Sequence, residues 1–184
     1  NIHQVKNLVD DIKNFFKDEK YPILIDQEGG KVSRLNKIID LSFFSQNFFG
    51  QLYTKDKKIF FNHYKNHINN ICDILRNIGV NINTVPVLDV RRKKSHSIIG
   101  SRSFSESSTV VSNLGRLCVG FYNKNKIGTV IKHMPGLGLS KCDSHYKTPI
   151  INAGKKELIK KDFKPFKLCK SLFAMTAHAV YSKY

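Results

Sequence analysis

Acidic residues are scarce in this sequence. Fourteen Asp and Glu face 31 Lys and Arg, a formal charge of +17 over 184 residues. Such a charge attracts nucleic acid or another anionic surface. The lysines, however, are spread along the whole chain beside many Asn and Ile, as a biased nucleotide composition would also produce. There is no arginine-rich block and no aromatic-basic RNA motif. Cysteine is sparse too: Cys72, Cys118, Cys142 and Cys169 form no CxxC pair. That spacing speaks against a zinc site and for reduced thiols in a reducing compartment. No apolar run approaches a membrane span. No signal peptide is visible, although the chain opens at Asn1 rather than at a methionine. Linkers, low-complexity tracts and residue-level repeats are all missing, which leaves one domain.

What is present suffices for a core: 41% hydrophobic and 24% charged residues are ordinary for a globular protein. The pattern alternates helix and strand. Val5, Leu8, Val9, Ile12, Phe15 and Phe16 share one helical face. YPILI, Tyr21 to Ile25, reads as a buried parallel strand. A second helix is clearest from Ile59 to Ile78, with Gly79 ending it. VNINTVPVLDV, Val80 to Val90, reads as a strand weakened by Pro86. A third helix carries Val110, Val111, Leu114, Leu117, Cys118 and Phe121, and GTVIKH, Gly128 to His133, is the next strand. A lysine-rich helix starts near Lys155, and Pro165 restarts it. SLFAMTAHAVY, Ser171 to Tyr181, is the last strand. Helix–strand alternation predicts an α/β fold with a parallel sheet.

The polar residues choose between an open sheet and a barrel. Asp26 and Glu28 follow the first strand, Asp89 ends the second, Lys132 and His133 end the third, and His178 lies near the end of the fourth. In a (β/α)8 barrel such strand ends surround one pocket, whereas an open sheet offers only its switch point. A barrel takes about 250 residues, so this chain offers roughly half of one.

Each constellation has two readings. In DQEGGKVSR, Asp26 to Arg34, glycines permit close backbone approach to a ligand, Asp26 can accept from sugar hydroxyls and Arg34 can clamp an anion or hydroxyl. A charged turn explains it equally, and the Gly-Lys-Ser/Thr ending of a phosphate loop is missing. Arg102 either reaches the pocket or is a solvated residue before a helix capped by Ser105 or Ser107. Lys132 and His133 can both face a ligand only where the strand ends. Asp143-Ser144-His145 is either an Asx turn or a dyad in which the carboxylate orients the imidazole for general acid and base work. His133, Asp143 and His145 lack standard metal spacing, and Ser144 lacks a GxSxG elbow.

Together, IDQEGGKVSRL, VPVLDV, IIGSRSF, IKHMPGLG, CDSH, TP and AMTAHAVY occur in an order and spacing that resembles the bacterial β-N-acetylglucosaminidases of glycoside hydrolase family 3. The resemblance runs over residues 1–184 as part of the family's N-terminal (β/α)8 barrel domain, with about the second to fifth strands present and truncation at both ends expected. It implies removal of terminal non-reducing β-linked N-acetylglucosamine, with cytoplasmic recycling of muropeptides as its setting. Asp26, Arg34, Arg102, Lys132 and His133 would bind the sugar. Asp143 and His145 would be the acid/base dyad of a retaining mechanism that departs from the usual carboxylate pair. No cofactor and no metal are implied. The partner is a carbohydrate, not nucleic acid or a membrane, and the full-length protein is expected to be a monomer.

Three departures stand out. Lys31 replaces the family's usual Arg, and Leu137 replaces a second His within PGHG. The family nucleophile, an aspartate in an SDDL-like segment on a later strand, has no counterpart here, so these residues alone are expected to be inactive. Two other functions compete: a family 3 phosphorylase, distinguished by product formation with and without phosphate, and a non-catalytic basic binder of nucleic acid or an anionic surface, distinguished by a steep salt dependence.

Overall fold

The computed structural model describes residues 1–93, 97–143 and 146–183. A parallel four-stranded sheet organises it, in the order β1-β2-β3-β5. These strands are Leu24–Ile25, Ile82–Asn83, Gly128–Met134 and Phe173–Thr176. The register pairs Leu24 with Ile82, Ile82 with Gly128 and Val130 with Phe173. α1 (Ile2–Phe16) precedes β1, and α2 (Gln46–Lys55), α3 (Lys57–Asn77) and α4 (Ser108–Lys124) lie between the strands. The short helices α5 (Lys155–Lys160) and α6 (Lys164–Leu168) precede β5, with Pro165 in the first turn of α6. Strands running one way, each reached through helix, are the expected partial barrel. Among the described residues no helix is long and apolar enough to cross a membrane.

The helices form because apolar residues recur at helical spacing. In α3 the buried residues are Phe60, Tyr64, Ile68, Ile71, Cys72 and Leu75, a stripe on a helix packed against α2 and α4. In α4 they include Val111, Leu114, Cys118, Phe121 and Tyr122. Both stripes join one core with Val85, Leu88, Val90 and Ile131, where a fully buried leucine or phenylalanine contributes about 2 kcal/mol. Cys72, Cys118 and Cys169 are buried free thiols within it. Burial pushes the Cys72 thiol up to about 12 and Cys169 up to about 11, so both are inert packing groups.

Four details differ from the sequence reading. The second helical region is two helices: α2 ends and α3 begins at Asp56, whose carboxylate accepts the Ile59 N–H at 2.9 Å. The Val80–Val90 segment pairs as a strand only at Ile82–Asn83, and Val87 then bridges to Lys132. The last strand divides into β5 and β6 (Val180–Tyr181), and β6 pairs with the short β4 (Ile150–Ile151) in a second sheet. The apolar face of α1 is largely uncovered: Val9 is buried, whereas Leu8 and Phe15 are 60% and 80% exposed. Phe16 instead stacks on Tyr21, with ring centroids 4.1 Å apart.

The Asp56 cap is a separable contribution. Asp56→Ala should cost about 1 kcal/mol, and Asp56→Ser much less. Urea unfolding should show the midpoint falling with an unchanged slope.

Candidate active site

The C-terminal ends of the four parallel strands open on a cavity of about 530 Å³. Asp26, Glu28, Arg34, Arg102, Lys132, His133 and Asp143 line it, with His178 from the segment after β5. All the sugar-binding residues expected from the sequence therefore meet here, although they come from separate loops. Asp143 meets them too. His145 lies outside the described residues.

Lys132 is the centre of this arrangement. It sits on β3 and is 2% exposed. Its Nζ donates to Asp26 Oδ1 at 2.7 Å and Thr84 Oγ1 at 3.0 Å, and pairs with Glu28 Oε1 at 2.7 Å. An ammonium has three donors, and these three acceptors use them all. A regular strand would aim His133 away from the cavity, but the β3–β5 register shifts between Lys132 and Met134. That irregularity lets neighbouring side chains share one side.

Glu28 is held from two sides. Arg102 donates through Nε to Oε2 and through Nη2 to Oε1, each at 2.8 Å, a bidentate pair. Burial pushes the Glu28 carboxyl up. The Arg102 and Lys132 contacts outweigh it and hold the carboxyl below its ordinary value. Asp26 follows the same balance: burial raises it, and Lys132, Thr84 and the Arg34 charge bring it down. Asp26 Oδ2 makes no hydrogen bond among the described residues, and its side chain is 40% exposed. An acceptor therefore remains for a ligand hydroxyl.

The loops are set by buried polar residues. Gln27 Oε1 accepts the Arg34 and Leu35 N–H groups at 2.9 and 3.1 Å, fixing the turn that carries Arg34. Gln46 of α2 donates to the carbonyls of Val87 and Arg102 at 2.9 and 2.5 Å. Ser107 caps α4, accepting from Val110, and Arg102 reaches inward to Glu28 rather than lying in solvent. The DQEGG glycines do permit close approach, but to the chain itself: a Cβ at Gly29 would stand 2.4 Å from the Phe44 carbonyl oxygen, with φ at +87°.

The PGLG segment is pinned from several directions. Leu137 packs with Ile99, Ile151 and Leu158, and its N–H donates to Asp89 Oδ1 at 2.5 Å. Tyr181 OH donates to the Gly136 carbonyl at 2.8 Å. A Cβ at Gly138 would lie 2.0 Å from the Val90 carbonyl oxygen. Asp89 also takes His133 Nδ1 on Oδ2 at 2.6 Å. The sequence places Glu28 and Asp89 at strand ends around the pocket without giving them a task, and it does not single out Thr84. Their signal was there: polar residues inside or directly after runs that must be buried need partners. Among the described residues no three His, Cys, Asp or Glu side chains gather as a metal site requires.

Residues 1–184 match the family described as the glycosyl hydrolase family 3 N terminal domain. Beta-hexosaminidase A of Pseudoalteromonas piscicida is 33% identical over 163 residues, 86% of this chain and 27% of that protein. Native NagZ from Neisseria gonorrhoeae superposes with a TM-score of 0.88 at 28% identity, over 98% of this chain and 53% of that one. The same protein in complex with N-trifluoroacetyl-D-glucosamine gives 0.83 at 28% identity, over 98% of this chain and 54% of that one. The chain thus spans about half of NagZ and about a quarter of the hexosaminidase.

Removing the Glu28 charge isolates the buried network. Glu28→Gln should destabilise by about 3 kcal/mol at neutral pH, because two cations lose their shared partner. A depressed carboxyl stabilises fully above its unfolded value of about 4.3 and loses that contribution as pH falls through the folded value. The gap between wild type and variant in urea unfolding should therefore close below about pH 4.

Proposed function

The chain belongs to glycosyl hydrolase family 3, and from that premise we propose that it supplies the sugar-binding wall and the acid/base loop of a β-N-acetylhexosaminidase. The observation that carries this reading is the convergence of Asp26, Arg34, Arg102, Lys132, His133 and Asp143 on one cavity. The relative bound to N-trifluoroacetyl-D-glucosamine supports the choice of sugar. The substrate is a terminal non-reducing β-linked N-acetylglucosamine, as in muropeptides, with recycling in the cytoplasm as the setting. Residues 1–184 contribute to the N-terminal (β/α)8 barrel domain.

Each side chain then has a task. Asp26 Oδ2 accepts a sugar hydroxyl while Lys132 and Thr84 hold Oδ1, so the carboxylate meets the ligand already oriented. Arg102 and Arg34, which line the same cavity, donate to hydroxyl or acetamido oxygens, and His133 completes the subsite. Asp143 steadies the His145 imidazole, which protonates the leaving oxygen and later takes a proton from the attacking water. Retention of configuration needs a second, nucleophilic carboxylate. Glu28 is excluded from that part because Arg102 and Lys132 already occupy both its oxygens. No nucleophile is assigned within residues 1–184.

The test is hydrolysis of an aryl β-N-acetylglucosaminide by the full-length protein. His145→Ala and Asp143→Ala should each lower kcat by about 10²- to 10⁴-fold, the usual share of general acid–base catalysis. Wild-type rates in both variants would remove the dyad assignment.

A further inference from the structure

We propose that Asp89 is the positioning residue of this pocket. It fixes the ring proton of His133 on Nδ1, so that Nε2 faces the ligand as an acceptor, and its other oxygen anchors the loop that leads to Asp143. Only the identity of the ligand rests on the glycosidase reading above.

Two neighbours of opposite polarity assign the tautomer. A carboxylate only accepts, and Asp89 Oδ2 lies 2.6 Å from His133 Nδ1. A guanidinium only donates, and Arg102 Nη2 approaches His133 Nε2 at 3.5 Å. A proton on Nδ1 satisfies both contacts, whereas a proton on Nε2 would oppose both. The ring is thus polarised across the cavity wall, and a ligand hydroxyl that donates to Nε2 takes its one lone pair from the long Arg102 contact.

Asp89 can impose this because it is itself immobile. It is fully buried, beyond the end of β2 and just after the Val87 bridge to Lys132. Its carbonyl accepts from Ser103 Oγ at 2.6 Å, next to Arg102. Its Oδ1 takes the Leu137 N–H at 2.5 Å. The Leu137 side chain packs behind the loop, and Gly138 lies against the Val90 carbonyl, leaving no room for a Cβ. Asp89 therefore holds the segment carrying Arg102 through its main-chain carbonyl, and the imidazole of His133 and the loop toward Asp143 through its carboxylate. Losing it would leave the buried Leu137 N–H and the half-buried imidazole without an acceptor.

The experiment is two-bond ¹H–¹⁵N correlation of the imidazole nitrogens in the full-length protein, with His133 assigned through His133→Gln. The unsubstituted chain should show Nδ1 as the protonated nitrogen and Nε2 as the acceptor. In Asp89→Asn the amide oxygen can still take the Leu137 N–H while the amide NH₂ donates to Nδ1, so the proton should move to Nε2. A purely structural role for Asp89 would not reverse the tautomer. Titration with N-acetylglucosamine should show the variant binding about tenfold more weakly, as expected for one misdirected hydrogen bond in a buried site. A proton on Nε2 in the unsubstituted chain overturns the proposal, and that measurement decides the matter even if Asp89→Asn does not fold. An unchanged tautomer in a folded Asp89→Asn overturns it as well. Tautomer reversal without any binding of N-acetylglucosamine would uphold Asp89 and remove the glycosidase reading instead.

Discussion

An ammonium group taken out of water must find acceptors for every proton or give up its charge, and Lys132 finds three. Asp26 belongs to the turn after β1, Glu28 to the same turn two residues on, and Thr84 to the segment after β2. Moving such a charge into the interior costs several kcal/mol, repaid only when geometry and hydrogen bonding are both complete. The three adjoining parallel strands therefore keep a fixed relation at their C-terminal ends, because any sliding would strand the cation or a carboxylate. Arg102 extends the network by taking both oxygens of Glu28, and so brings in a loop from beyond β2.

This dependence explains how side chains far apart in the chain act as one wall. Asp26 and Lys132 are 106 residues apart, Glu28 and Arg102 are 74 apart. Neither pair has local structure to hold it, yet both are buried or half-buried and closely spaced. The same economy appears at Asp89, which faces His133 from 44 residues away. A pocket preorganised this way meets its ligand without first reorienting its own dipoles, which is how enzymes gain most from electrostatics.

Much of the architecture was legible because it rests on periodicity. The stripe from Phe60 to Leu75 and the run from Gly128 to His133 each point to one element, and the structure contains both. The α2–α3 break was hidden because Asp56 interrupts a region whose apolar residues continue on both sides. The second strand was overread for an instructive reason. Beyond Ile82–Asn83 the Asn83 side chain replaces the ladder, accepting from the Gln27 N–H at 3.0 Å and donating to the Gln27 carbonyl at 2.9 Å. Side-chain pairing of that kind leaves no period to read. In the site, the residues expected to touch a sugar were visible through family motifs, and the structure gathers them. Glu28 and Asp89 were visible as strand-end residues but not their tasks, because those lie in partners, and partners are set by the fold rather than by spacing.

The saturation of Lys132 also separates its reactivity from that of the other lysines. Acylating reagents are attacked by a free amine with an accessible lone pair, and an ammonium whose N–H groups all donate to fixed acceptors at 2% exposure presents none. While the strands stay together, amine chemistry should modify the surface and pass this residue over. A label on Lys132 would then record that the sheet had opened before the reagent was quenched.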